Sequence, residues 1–396
     1  MKIKTHNIVI WTALAFAICY FLRFLNFPNE LTVILGGVIC LALLIQQKKL
    51  RMDIGLCLLA VTLVSYYTIA NGIHGIFYAI LYIPLVIYVI AKYLICGWDE
   101  SLKLEQKLLY LLMTMVIGFT ILGLLNSYMW YAGYVVPGTR RWQDFWSGEI
   151  VPGTQHTAYF LPALAMFCPA VMYFKKRIVS NMIFILVPVF FCYTALVTKS
   201  RMQLVIFVLV CALQLLLFVL LEKEATKKIL SNKITWIVFL IMGVACFAGI
   251  LAVKDSKIVT DFIENMGKGG GILNNVRFEA QRMAVTQLFT YPMGGRLMEL
   301  GRQYCHNTWL DMANASGVIP FFAFAGYTIY SAVCLVKFLL KNGISAEIKM
   351  MTLGLYVSFF LYMTVESVFD ASIHLLTPWI WANAVIQGCL SKNVTE

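Results

Sequence analysis

Long apolar runs separated by short polar connections govern the reading of this chain. A hydrocarbon core about 30 Å thick is crossed by about 20 helical residues at about 1.5 Å each. Runs near that length lie at about 7–23, 30–46, 54–70, 76–96, 108–126, 157–174, 180–198, 202–221, 234–253, 314–336, 350–366 and 375–390. They predict an all-α, polytopic integral membrane protein of about 12 transmembrane helices, with 1–396 as a single membrane domain. The opening MKIKTHN and the apolar run to Leu22 resemble a signal peptide, but no small-residue cleavage site follows. That segment is therefore expected to remain as the first helix.

An even number of spans puts both termini on one side, and short-loop lysine and arginine choose the side. Lys48, Lys49 and Arg51, then Lys103 and Lys107, then Lys175, Lys176 and Arg177 lie in loops on the side of the N-terminus. Lys223, Lys227, Lys228 and Lys233, and later Lys337, Lys341 and Lys349, continue the pattern. The termini are expected to be cytoplasmic, so the two long segments, 127–156 and 254–313, face outward. In the second, NNVRFEAQRMAVTQLFTYP carries an asparagine suited to a helix N-cap and ends at Pro292. A helix near 276–290 is predicted, and Arg277, Glu279 and Arg282 keep it outside the bilayer core.

Composition sharpens this picture. The chain is 61% hydrophobic and 13% charged, against about 25% charged in an ordinary soluble domain. The net charge of +12 is scattered between apolar runs, which fits topology and not a nucleic-acid partner. Most of the eleven cysteines sit inside apolar runs without a CxxC pair, as small buried hydrophobes. GKGGG at 267–271 lacks the remainder of a Walker motif and reads as a flexible hinge. Neither the dispersed acids nor the five widely spaced histidines form a metal-ligand pattern.

Any anionic substrate must then be met by arginine. Arg201, in VTKSRMQL at the outer mouth of the eighth span, and Arg277 are placed for it, since a guanidinium grips phosphate oxygens in pairs. A snorkelling role for Arg201 and a solvated helix face for Arg277 and Arg282 are the plainer alternatives. In CHNTWLDMANASGVIP, Asn307, Asp311 and Asn314 share one helical face beside His306, as a polar stripe entering the bilayer. Such a stripe lines a cavity or a protein contact, and a lone histidine there is also compatible with a structural role. In the first outer segment Trp142 and other aromatics surround Arg140 and Arg141, suited to stacking on sugar rings or to an interfacial belt. Glu366, Asp370 and His374, at intervals of four, are candidates for the same cavity.

The order of these features resembles the bacterial O-antigen ligase and O-antigen polymerase family of polytopic membrane glycosyltransferases. TKSRMQLVIFVLV resembles the family's Ser-Arg entry to an apolar helix, and NNVRFEAQRMAVTQLFTYPMGG its arginine-led outer helix ending near Pro-x-Gly-Gly. HNTWLDMANASGVIPFFAF resembles its His-Asn pair before an apolar helix, and ESVFD at 366–370 its late acidic segment. The resemblance covers about 195–375, including the outer segment 254–313. GTQHTAYF, with His156, departs from the family's Asn-Pro-Asn type segment.

The resemblance implies a GT-C-like fold whose long, partly helical outer loop lies between the ninth and tenth spans. It implies glycan transfer from an undecaprenyl-pyrophosphate donor to a glycan or lipid-glycan acceptor, without cofactor or metal. The place would be the outer face of the bacterial cytoplasmic membrane, among membrane lipids and other polysaccharide-assembly proteins. Arg201 and Arg277 would hold the pyrophosphate, and His306 would act as base or phosphate ligand. Asn307, Asp311, Arg282, Glu366, Arg140, Arg141, Trp142 and His156 would contact substrate. Polymerisation of repeat units is the first expectation, transfer of a finished chain to lipid A core or another carrier the second. A lipid-linked sugar flippase is the alternative from another class, kept open by prolines inside spans.

Overall fold

The computed structural model describes residues 5–26, 30–48, 51–71, 82–98, 102–137, 139–197, 201–224, 226–227 and 276–391. The ninth expected span, GKGGG and the side chain of Arg201 lie outside the described residues. The described chain is helical, with one short hairpin. Five helices enter first: α1 (Thr5–Phe21), α2 (Glu30–Gln47), α3 (Ile54–Asn71), α4 (Ile83–Gly97) and α5 (Leu104–Tyr131). The hairpin follows as β1 (Arg141–Gln143) and β2 (Ile150–Pro152), antiparallel with Trp142 opposite Val151. Then come α6 (Gly153–Ala158), α7 (Leu161–Ala165), α8 (Phe167–Met172), α9 (Ile178–Val197) and α10 (Arg201–Leu221). The remainder is α11 (Val276–Gln287), α12 (Thr308–Ser316), α13 (Val318–Leu340), α14 (Ala346–Val365), α15 (Val368–Ala371) and α16 (Thr377–Ser391).

Among the described residues five helices are long and apolar enough to cross a membrane: α2, α5, residues Met202–Leu221 of α10, α13 and α14. On α2 the spacing of exposed Leu31, Ile34, Val38, Leu41 and Ile45 makes one apolar stripe, while Thr32, Gly36, Ile39 and Leu43 face inward. An outward apolar face is what a bilayer, unlike water, stabilises. α5 has 28 residues, about 42 Å of helix, so it outreaches a core of about 30 Å. Its last turn carries Tyr128, Trp130 and Tyr131 into what reads in sequence as the first outer loop.

α16 lies at the centre. Trp379, Ile380, Trp381, Ala384, Val385 and Ile386 are all fully buried, so every face of this helix has a partner. It packs on α4, α13 and α14. Trp381 meets Phe21 edge to face at 5.4 Å and donates its indole N–H to the Leu111 carbonyl at 2.9 Å.

Two expected spans are broken. The run 157–174 is not one helix, because α6, α7 and α8 are separated at Tyr159–Phe160 and at Met166. Pro162 and Pro169 lack the N–H that would continue the ladder, and the joints close with tighter bonds, Phe160 N–H to Thr157 and Met166 N–H to Ala163. The run 314–336 is interrupted at Gly317, whose φ of 80 and ψ of −162 separate α12 from α13.

Candidate functional site

α11, expected over 276–290, occupies Val276–Gln287 and carries Arg277 in its first turn. From there Arg277 Nη1 donates to the Val365 carbonyl at 3.2 Å and stands 3.8 Å from Glu366 Oε1. The second carboxylate oxygen, Oε2, lies 3.4 Å from His306 Nδ1. Three separate segments thus place arginine, glutamate and histidine around one carboxylate, each partly open to solvent. With Nδ1–H turned to Glu366, the imidazole keeps its Nε2 lone pair, the arrangement in which a carboxylate orients a base.

His306 sits at φ 56, a left-handed conformation unusual for a residue with a Cβ. The frame that imposes it is made by its neighbours. Asn307 caps α12 by accepting from Leu310 N–H at 3.1 Å, and its amide donates to Thr364 O at 3.3 Å. Asp311 accepts from the Cys305 and Asn307 N–H groups at 2.6 and 3.0 Å. Burial, followed by the Asp311 charge, pushes the Cys305 thiol pKa up. Thr308 Oγ1 donates to Glu366 O at 2.7 Å, tying α12 to the glutamate segment. Asn314 receives Met298 N–H, and its own carbonyl receives Arg296 N–H at 2.7 Å.

Asn307, Asp311 and Asn314 share the element that carries the polar stripe, and their side chains brace it against backbone groups of residues 298, 305, 307, 310 and 364. On α11 the residue that shares Arg277's face is Gln281, whose amide donates to Cys305 O at 3.3 Å. Arg282 points elsewhere and is exposed, as its offset of five residues dictates.

Glu366, Asp370 and His374 do not form one helical face. The helix α14 stops at Val365, and the short α15 and a 3-10 turn at Ile373–Leu375 follow as separate pieces before α16, so the interval of four loses its meaning there. The Asp370 side chain lies outside the described residues. His374 Nε2 instead lies 2.9 Å from Tyr159 Oη and 3.2 Å from Gln155 Nε2.

That contact belongs to a second, buried cluster. Arg23 Nη1 reaches Asp144 Oδ2 at 3.3 Å and donates to Tyr159 Oη at 3.2 Å. Asp144, with no exposed surface, also accepts from the Asn126 amide and from the Trp146 and Ser147 N–H groups. Trp142 was expected as a platform for sugar, but it is fully buried: His156 stacks on it at 4.2 Å and Trp130 meets it edge-on at 5.0 Å. Its N–H donates to the Asn126 carbonyl. His156 is therefore a core residue, and burial lowers its pKa to about 4 against the smaller opposing effects of the Trp142 carbonyl and Asp144. Burial, then Arg23 and His156, holds His374 well below the usual histidine range. Arg140 and Arg141 remain exposed on the hairpin, apart from the Arg277 cluster.

The buried cluster was not legible as a site. Arg23 and Asp144 are 121 positions apart, and no local spacing links them. Among the described residues, no group of three histidine, cysteine, aspartate or glutamate side chains is arranged to hold a metal ion. No protein-family model matches the chain, and no curated protein matches it.

Proposed function

We propose that this protein is a membrane glycosyltransferase of the bacterial cytoplasmic membrane. It moves a glycan from an undecaprenyl-pyrophosphate donor to an acceptor hydroxyl, polymerising polysaccharide repeat units. The single observation that supports the reading is the meeting of Arg277, His306 and Glu366 from three segments beside apolar helices. The proposed layout is about 12 spans with both termini cytoplasmic, so that this cluster faces outward. The donor's lipid tail remains in the bilayer while its headgroup reaches the cluster.

In the proposed reaction the acceptor oxygen attacks the sugar's anomeric carbon and the glycosyl–oxygen bond to pyrophosphate breaks. The bonding pair leaves on the phosphate oxygen, and the hydroxyl proton passes to His306 Nε2. Arg277, joined by Arg201, faces the negative charge that grows on the leaving group. Preorganised cations at such a charge are worth about 10²–10³ in rate for each donor removed. Glu366 holds His306 in the required tautomer and competes with pyrophosphate for Arg277. Asn307 and Asp311 act by positioning His306.

Arg277→Ala tests this reading through the profile of undecaprenyl-linked and exported glycans, alongside the unaltered chain and a deletion at matched membrane levels. Single lipid-linked repeat units should accumulate while long polymer is lost. Long lipid-linked chains left untransferred would indicate a ligase, and an unchanged profile would remove Arg277 from the mechanism. The interrupted helix over α6–α8 favours a second reading, a lipid-linked sugar flippase. In that case lipid-linked units would accumulate on the cytoplasmic side, inaccessible to an external glycosidase.

A further inference from the structure

A groove lies between α2, α3 and α4. Its walls are Leu41 and Leu44 of α2, Leu56 of α3, and Val89 and Tyr93 of α4, with Arg51 at one end. The groove holds about 230 Å³, below the roughly 300–1,000 Å³ of pockets that enclose drug-sized polar ligands. Besides Arg51 and Tyr93 its lining holds one polar side chain, the Cys40 thiol, which is turned to the Val86 carbonyl, so an alkyl chain suits it and a sugar does not. It opens onto the outward apolar stripe of α2, where Leu41 is 57% exposed.

The cation at its end is held in place and left without an acidic partner. Arg51 Nε donates to Gln47 Oε1 at 2.9 Å, and its backbone N–H donates to Tyr93 Oη at 3.2 Å. Its guanidinium carbon lies 5.9 Å from the Tyr93 ring centre. Gln47 is fixed in turn, because its amide donates to the Tyr93 carbonyl at 2.8 Å. The nearest acid in sequence, Asp53, is turned inward: it pairs with buried Lys92, accepts from Tyr88 Oη and caps α3 through Leu56 N–H. Among the described residues no carboxylate lies within ion-pair distance of Arg51. Lys48, exposed at the end of α2, adds a second positive charge nearby in the chain.

We infer that this groove binds an anionic phospholipid, with one acyl chain along Leu41, Leu44, Leu56 and Val89 and the phosphate on Arg51. The Asp53–Lys92 pair has a role in this arrangement, since it engages the acid nearest to Arg51 in sequence. Charge and shape act together here: the cation selects the headgroup and the recess selects a single chain. The inference rests on the membrane setting but not on the chemistry proposed for the Arg277 cluster.

The full chain in mild detergent, mixed with deuterated phosphatidylglycerol and weighed by native mass spectrometry, provides the test. One retained lipid per chain is expected, with less phosphatidylcholine retained and no displacement by inorganic phosphate. Arg51→Gln should lower retention about tenfold, the size of one lost charge-assisted hydrogen bond. Leu44→Trp, which fills the recess and leaves the charge, should lower it as much, while Lys223→Gln should change nothing. Gel-filtration profiles matching the unaltered chain establish that each variant is folded. Equal retention in Arg51→Gln, or loss in Arg51→Gln with none in Leu44→Trp, would overturn the groove site. The second pattern is that of a basic surface alone.

Discussion

Glu366 presents one carboxylate oxygen to Arg277 and the other to His306. Glu366→Gln keeps the shape and removes the charge, so in the proposed mechanism His306 loses its orienting anion while Arg277 loses a carboxylate that competes with pyrophosphate. Transfer should fall about tenfold, roughly 1.4 kcal/mol, with donor affinity retained or raised, as read by initial rates against donor concentration. His156 gives a separate expectation. Its pKa of about 4 when folded lies below the ordinary value of about 6.5. Between those values the unfolded chain takes a proton that the folded chain refuses. Stability should be complete above about pH 6.5 and decline toward pH 4, by at most about 1.4 kcal/mol per unit for this group. His374 acts in the same direction. Melting temperatures in detergent across that range should show the decline, and a shallower one in His156→Gln. Arg277, His306 and Glu366 could be picked from sequence because charge beside apolar runs is rare. The duties of Asn307, Asp311 and Trp142 could not, because spacing gives a face but not the backbone groups that face it.

At the scale of elements, the joint between α12 and α13 decides where His306 can stand. Gly317 occupies a backbone region that glycine alone enters without strain, and a Cβ there would overlap the Pro292 carbonyl. The segment 292–296 crosses this joint, with Val318 N–H donating to Pro292 O at 2.9 Å and Gly295 N–H to Ala315 O at 3.0 Å. Gly317→Ala should cost about 1–3 kcal/mol of backbone strain. Limited proteolysis should then cut within 288–305 faster than in the unaltered chain, and the proposed glycan transfer should fall with it. The apolar runs made most helices legible, and the N-cap asparagine and Pro292 did the same for α11. It could not reveal the joints at Tyr159–Phe160, Met166 and Gly317, because an apolar run looks alike whether continuous or kinked. Proline content marked the first of these regions, yet Pro188 sits inside α9 without ending it.

For the whole molecule, the distribution of basic residues predicts which face meets which compartment. The hairpin of β1 and β2 should be outside and the turn between α13 and α14 inside. Thr139→Cys and Asn342→Cys, both at exposed positions, test this with a membrane-impermeant maleimide, judged against the unsubstituted chain. The first should gain label on intact cells and the second only after permeabilisation. The central position of α16 carries a consequence for biogenesis. Ribosomes deliver this helix after α1, α4 and α5, yet its tryptophans and aliphatic side chains fill the space among them. Until then those helices lack the side chains that fill the space among them. The core of the bundle can therefore close only once this late segment has been made.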